Sequence, residues 1–312
     1  MAEVHGDDDN IFVYMGGDQQ VPDGVRRARI HKSVKIVRAR AFYNRRRLIY
    51  VEFHDGIEII EENAFWKCDL LSGPIKLLGV RIIKKFAFGH CRSLTGVDFG
   101  DKLETIEYHA FTTTSLTKIK ILSVRTIGNG AFSNCSALTD VECGEALETI
   151  QVQAFYDCRK LKRIALPLRN IMFGYGVFNG CMMLTTVDLV GVIHNTAASL
   201  HLESWRNEMN NEINRINQIL HTIGGGNTVV IRQWMESTVN QLNHYKAEHH
   251  QLLKEATTLL ELALWKANLD DNGGGEREGV RTTRGSRKRA RKEIFVTSGA
   301  DIVIKNVLPF LH

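Results

Sequence analysis

The dipeptide Ala-Phe recurs at nearly constant spacing, and it constrains the fold more than any other feature of the chain. It occurs at Ala41-Phe42, Ala64-Phe65, Ala87-Phe88, Ala110-Phe111, Ala131-Phe132 and Ala154-Phe155, with Val177-Phe178 as a degenerate seventh copy. Successive phenylalanines lie 23, 23, 23, 21, 23 and 23 residues apart. Three positions after Phe stands Cys68, Cys91, Cys135, Cys158 or Cys181, with Arg45 and Thr114 in the other two copies. Leucine follows three further on, at Leu48, Leu71, Leu94, Leu138, Leu161 and Leu184, and Leu116 comes one place early in the short copy. A period in the twenties with fixed apolar positions predicts a solenoid, because one repeat is too small to bury its own apolar face and must stack on its neighbours.

Within each copy a short alternating segment follows the leucine. Val141 and Cys143 after Leu138, like Ile164 and Leu166 after Leu161, fall on one side of a strand, since strand side chains alternate with period two. A second apolar point precedes the next Ala by four, at Val37, Ile60, Ile83, Ile106, Ile127 and Ile150. Each coil therefore turns about three inward anchors: a strand, an Ile corner and an Ala-Phe corner. Pro74 occupies a strand position without a ladder donor, which predicts a local distortion.

The string Ile-x-x-x-Ala-Phe-x-x-Cys-x-x-Leu-x-x-Val/Ile-x-Phe/Leu resembles the BspA-like class of leucine-rich repeats. The resemblance implies a curved β-solenoid whose strands line one face, used for binding proteins or other large surfaces, with no catalytic residue. The tail from Gly299 to Phe310 resembles the end of a family of such repeat proteins expanded in diatoms.

Beyond about residue 193 the period changes. Leu202, Trp205, Met209, Ile213, Ile216, Leu220 and Ile223 recur by threes and fours, which predicts an amphipathic helix. Gly224-Gly225-Gly226 ends it, Asn227 or Thr228 can cap a second helix, and that helix breaks at Asp270 to Gly275. The apolar stripe of this hairpin can meet the other helix, the last coil or a second molecule, with Asn214, Asn217 and His249 as polar interruptions of a coiled coil. The predicted class is thus α+β, a leucine-rich repeat solenoid of about seven coils with an N-terminal cap and a C-terminal helical hairpin. The boundaries fall at a disordered segment 1–10, the solenoid 11–196, the hairpin 197–270, a flexible basic linker 271–293 and a docking segment 294–312.

Charge and cysteine usage narrow the function. Seven of the positive charges lie between Arg281 and Lys292, and since the net charge is +5 the remainder carries −2. A basic surface suited to nucleic acid is then expected only in that segment, at Arg287, Lys288, Arg289, Arg291 and Lys292. Five cysteines share one repeating slot and Cys143 takes a strand slot, so all six are read as buried core residues. Their spacing matches no zinc pattern. The acidic start has no signal-peptide character and no run of about 18 apolar residues exists. An intracellular protein, cytoplasmic or nuclear, is expected.

No catalytic, cofactor or metal site emerges. Gly174, Gly176 and Gly180 miss the dinucleotide fingerprint by one place; His244, His249 and His250 lack ligand spacing on a helix; Glu61 and Glu62 are adjacent, so their side chains diverge. A protein partner is expected on the strand face, at the positions flanking the inward ones: Glu52, His54, Asp98, Lys118, Lys120, Asp140, Glu142, Arg163, Thr186 and Asp188. These alternate in sign between coils. The alternatives are a nuclear or nucleic-acid-associated adaptor acting through 281–292, and a homodimer through the helices of 197–270.

Overall fold

A computed structural model describes residues 11–190, 203–223 and 228–272. The segment 1–10, the basic run and the segment 294–312 lie outside the described residues. Among the described residues there are sixteen strands, which from the second onwards alternate longer and shorter. The longer are β1 (Ile11–Tyr14), β2 (Arg27–Ile30), β4 (Tyr50–Glu52), β6 (Gly73–Leu77), β8 (Leu94–Phe99), β10 (Lys118–Ile121), β12 (Asp140–Cys143), β14 (Arg163–Pro167) and β16 (Thr186–Val190). Between them lie two-residue strands β3 (Ile36–Val37), β5 (Ile59–Ile60), β7 (Ile82–Ile83), β9 (Thr105–Ile106), β11 (Thr126–Ile127), β13 (Thr149–Ile150) and β15 (Met172–Phe173).

Successive coils are tied by parallel backbone hydrogen bonds at the three anchors, continuously at the Ile corner and in three separate sheets along the longer strands. The longer strands form three sheets, β1-β2-β4, β6-β8 and β10-β12-β14-β16, and the Ile corner forms one seven-stranded ladder from β3 to β15. The third ladder runs through the Ala-Phe corner. There the N–H of Phe42, Phe65, Phe88, Phe111 and Phe132 donates to the Ala carbonyl of the following coil at 2.7 to 2.8 Å, and Phe155 donates to Val177 at 3.0 Å. The distortion expected at Pro74 is present: the β6-β8 register shifts between Gly73 and Pro74. β4 and β6 belong to different sheets, as do β8 and β10.

The ring column is the core. Phe42, Phe65, Phe88, Phe111, Phe132, Phe155 and Phe178 are fully buried. Neighbouring rings lie 4.8 to 5.9 Å apart and within 12° of parallel. Tyr14 closes the N-terminal end, tilted by 59°. Each cysteine of the repeating slot donates its thiol to the carbonyl of the preceding coil's Phe at 3.0 to 3.2 Å. Arg45 serves the slot by donating to Val21 at 2.6 Å, and Thr114 by donating to Phe111 at 3.0 Å. The slot therefore selects a donor that satisfies a buried carbonyl, not thiol chemistry. All six cysteines are buried and unbridged. Burial pushes the thiols of Cys68 and Cys143 up to about 12 and that of Cys91 well above its ordinary range, which opposes reactivity.

Two residues per coil take left-handed backbone angles, the one before Ala and the one before the cysteine slot. Asn63 and Lys67 do so in one coil, Phe86 and His90 in the next, and His109 and Thr113 in the one after. Gly176 and Gly180 fill the same two places in the last coil, which accounts for the glycine string there as turn geometry.

Two helices follow, α1 (Glu203–Ile223) and α2 (Thr228–Asn272). The coils, α1 and α2 as far as Val239 form one compact unit, and α2 from Asn240 belongs to another. Ile216, Leu220, Ile231, Trp234 and Met235 share one apolar cluster with the coils. Of the partners open to the hairpin's apolar stripe, the solenoid core is thus one that it meets. The end of the stack is closed by side chains: the Phe178 N–H donates to Thr228 Oγ1 at 3.0 Å and the Val187 N–H to Asn217 Oδ1 at 2.8 Å. Thr228 stands where an eighth Ala carbonyl would stand. Asn217, a polar break in the helical pattern, supplies the acceptor that a further strand would have offered.

Candidate functional site

The strand register aligns the outward side chains in two straight rows. One contains Lys118, Asp140, Arg163 and Thr186, and the other Lys120, Glu142 and Asp188, with the buried Ala165 in register between the last two. Glu52 continues the second row opposite Arg29, and Asp98 opposite Lys76. Nine of the ten residues expected to bind a partner thus stand in these rows. His54 lies just beyond β4. Its Nδ1 accepts the Gly56 N–H at 3.1 Å, so its other nitrogen carries the proton that points at the His31 carbonyl, 3.0 Å away.

Most of these charges face one another. Arg29 and Glu52 lie at 2.6 Å, Lys120 and Glu142 at 2.9 Å, and Arg163 bridges Asp140 at 3.1 Å and Asp188 at 2.5 Å. A parallel series runs beside the Ile corner, with Lys35–Glu58 at 3.2 Å, Arg81–Glu104 at 2.8 Å and Arg125–Glu148 at 3.0 Å. Whole coils alternate in sign. Residues 27–49, 74–95, 118–139 and 163–185 hold 9, 5, 3 and 2 bases respectively and no acid. Residues 50–73, 96–117 and 140–162 hold 6, 4 and 5 acids against 1, 1 and 3 bases. Each interface between coils therefore opposes a positive coil to a negative one.

The profile of the BspA type Leucine rich repeat region matches residues 24–123 and 75–185, in 6 copies. The chain belongs to this family. Among solved structures, this BspA-type protein is similar to a T. pallidum leucine-rich repeat protein at 29% identity and TM-score 0.46, covering 50% of this chain and 77% of that one. A leucine-rich cell surface protein of Faecalibacterium prausnitzii is 19% identical over 53% of this chain and 79% of that one, with TM-score 0.29. A leucine-rich repeat protein of Bacteroides ovatus is 17% identical over 58% and 64%, with TM-score 0.33. No curated protein sequence gives a significant match.

The turns flanking the Ala-Phe corner of the BspA-type coils carry a cluster that the sequence pattern does not single out. Trp66 meets Phe86 edge-on at 4.9 Å and His90 at 4.5 Å, and Phe86 meets Tyr108 at 5.1 Å. Trp66 lies over Gly89, where a Cβ would come within 2.3 Å of the ring. Burial lowers the proton affinity of His90 and His109. Their signal is weak in the sequence because these positions are variable between copies. The groups weighed for chemistry are otherwise engaged: Glu61 accepts the Ala39 N–H at 3.0 Å, Glu62 pairs with Lys85 at 3.1 Å, and His244 faces Glu248 at 3.1 Å. Among the described residues no three metal-ligating side chains converge, and no helix is long and apolar enough to cross a membrane.

Proposed function

We propose that this BspA-type solenoid is a non-catalytic recognition scaffold whose strand face binds a protein. The observation that supports it most is the pair of outward rows in which sign alternates from coil to coil and ion pairs hold the side chains in place. Exposed ion pairs contribute little stability, but fixed side chains lose less entropy when a partner arrives. A surface of alternating sign favours a partner with the complementary pattern over a uniformly charged polymer. Lys118 and Asp98 are exposed in these rows. The six unbridged cysteines favour a reducing compartment.

The test is affinity capture from a native extract with the full chain and a Lys118→Glu/Lys120→Glu variant as parallel baits. A partner lost from the variant, with unchanged circular dichroism, supports the strand face; unchanged affinity for an identified partner moves the site elsewhere. A bait reduced to the solenoid has to include Val239, since ending it at 196 removes Thr228 and Asn217 from the last coil. A second role as a homodimer draws on Leu259, Leu262 and Leu264 of α2, which are 54 to 67% exposed. Sedimentation equilibrium showing a monomer at high concentration removes it.

A further inference from the structure

The first coil holds more charge than the described carboxylates of its neighbours compensate. Residues 27–49 contain nine bases and no acid, with Arg26 directly before them. Arg29, Lys35, Arg45 and Arg46 reach Glu52, Glu58, Asp23 and Asp69 respectively. Among the described residues Arg26, Lys32, Arg38, Arg40 and Arg47 meet no carboxylate, and all five are exposed. Inner positive coils have an acidic coil on both sides, whereas this one has the acidic coil 50–73 on one side and, among the described residues, only Asp18 and Asp23 as acids on the other. The near-neutral sum for the body of the chain conceals this separation.

Two exposed rings lie among these cations. Tyr43 and Tyr50 are 40% and 44% exposed. The Arg40 guanidinium lies 5.9 Å from the Tyr43 centroid, and that of Arg27 lies 5.6 Å from the Tyr50 centroid. The Tyr50 N–H donates to the Arg26 carbonyl at 3.2 Å, which sets those two residues side by side, and Arg47 stands three residues before Tyr50. Eight of the ten cations from Arg26 to Arg47 are arginines, whose planar forks suit phosphate oxygens and aromatic faces.

We propose that the first coil binds single-stranded nucleic acid, with its arginines on phosphates and Tyr43 and Tyr50 as platforms for unstacked bases. Cationic grooves interleaved with aromatic rings bind single strands in this way. A sulfated glycan would use the cations but has no base to stack, and a duplex hides the faces of its bases. Arg27 and Tyr50 stand opposite each other on β2 and β4, so the site shares the N-terminal end of the strand face but uses none of the ten residues named there, and it is separate from the run 281–292.

The test is fluorescence anisotropy with a labelled oligothymidylate across a salt series, on the full chain with Arg287, Lys288, Arg289, Arg291 and Lys292 changed to Gln. This chain is expected to bind. Adding Arg26→Gln, Arg40→Gln and Arg47→Gln should weaken binding and lower the slope of log K against log salt by about 2, at roughly 0.7 per phosphate. Tyr43→Ala and Tyr50→Ala should each weaken it about tenfold with little change in slope. Absence of binding by the tail-neutralised chain, or indifference to the three arginine changes, overturns the proposal. So do tyrosine variants that bind normally while a sulfated glycan competes fully, since the coil would then be a general anion surface.

Discussion

Replacing Thr228 by valine tests whether a helix residue truly stands in for a missing coil. Threonine and valine have nearly the same shape, so the substitution removes the acceptor for the Phe178 N–H and leaves the packing intact. That donor belongs to a fully buried residue, and the bond is 3.0 Å long. An orphaned buried N–H costs about 1 to 3 kcal/mol, so a loss of about 2 kcal/mol is expected in urea denaturation. Serine keeps the hydroxyl and removes one methyl group, a loss of no more than about 0.8 kcal/mol. The expected order is therefore wild type, Thr228→Ser, Thr228→Val. Amide exchange should locate the damage, with faster exchange in the coil of Phe178 and little change at Phe65, because neighbours in a solenoid couple mainly to one another. A valine variant as stable as wild type, or more stable than the serine variant, would refute the idea that this hydroxyl ends the ladder.

Three further outcomes are expected. Phe88→Ala should cost about 3 to 5 kcal/mol in chemical denaturation, because it opens a cavity between Phe65 and Phe111, whose rings lie 5.0 and 5.2 Å from its own. Thr113→Asn should stabilise by roughly 0.5 to 1 kcal/mol in a thermal melt, since a β-branched residue is strained at φ 57° and Asn134 fills the same slot with φ 60°. Native thiols should resist maleimide labelling at pH 8 and react on unfolding. Because burial raises Cys68 and Cys143 to about 12, the unfolded chain loses thiol protons that the folded one keeps. Their contribution to stability is complete below about pH 8.5 and declines between there and pH 12, which a pH series of denaturation curves would show.

The repeat was legible because its inward positions accept few residue types: Ala and Phe at one corner, Ile or Val at another, alternating apolar residues in the strand. Pro74 was legible for the same reason, as a residue whose missing N–H has one consequence in a ladder. The left-handed turn positions were not, because Arg40, Asn63, Phe86, His109, Gly130 and Gln153 occupy one slot between them, and the turns around them dictate the backbone whatever the side chain. The helices could be drawn from their spacing, but an apolar stripe does not name what covers it. Thr228 and Asn217 bond to residues 50 and 30 positions away, beyond any local pattern. The excess on the first coil could be read directly from residues 26–47, yet a net charge taken over the whole body averages it away.

Alternation of sign gives the stack a repeat unit of two coils where the backbone has a repeat unit of one. Excising residues 96–117 would bring the coil of Arg81 against that of Arg125, like against like, at a place now occupied by Glu104. Excising 96–139 would bring Arg81 opposite Glu148 and restore the pairing. Growth or shortening of such an array by single coils therefore meets electrostatic resistance that growth by pairs does not, so the charge pattern limits which lengths of this solenoid are readily reached.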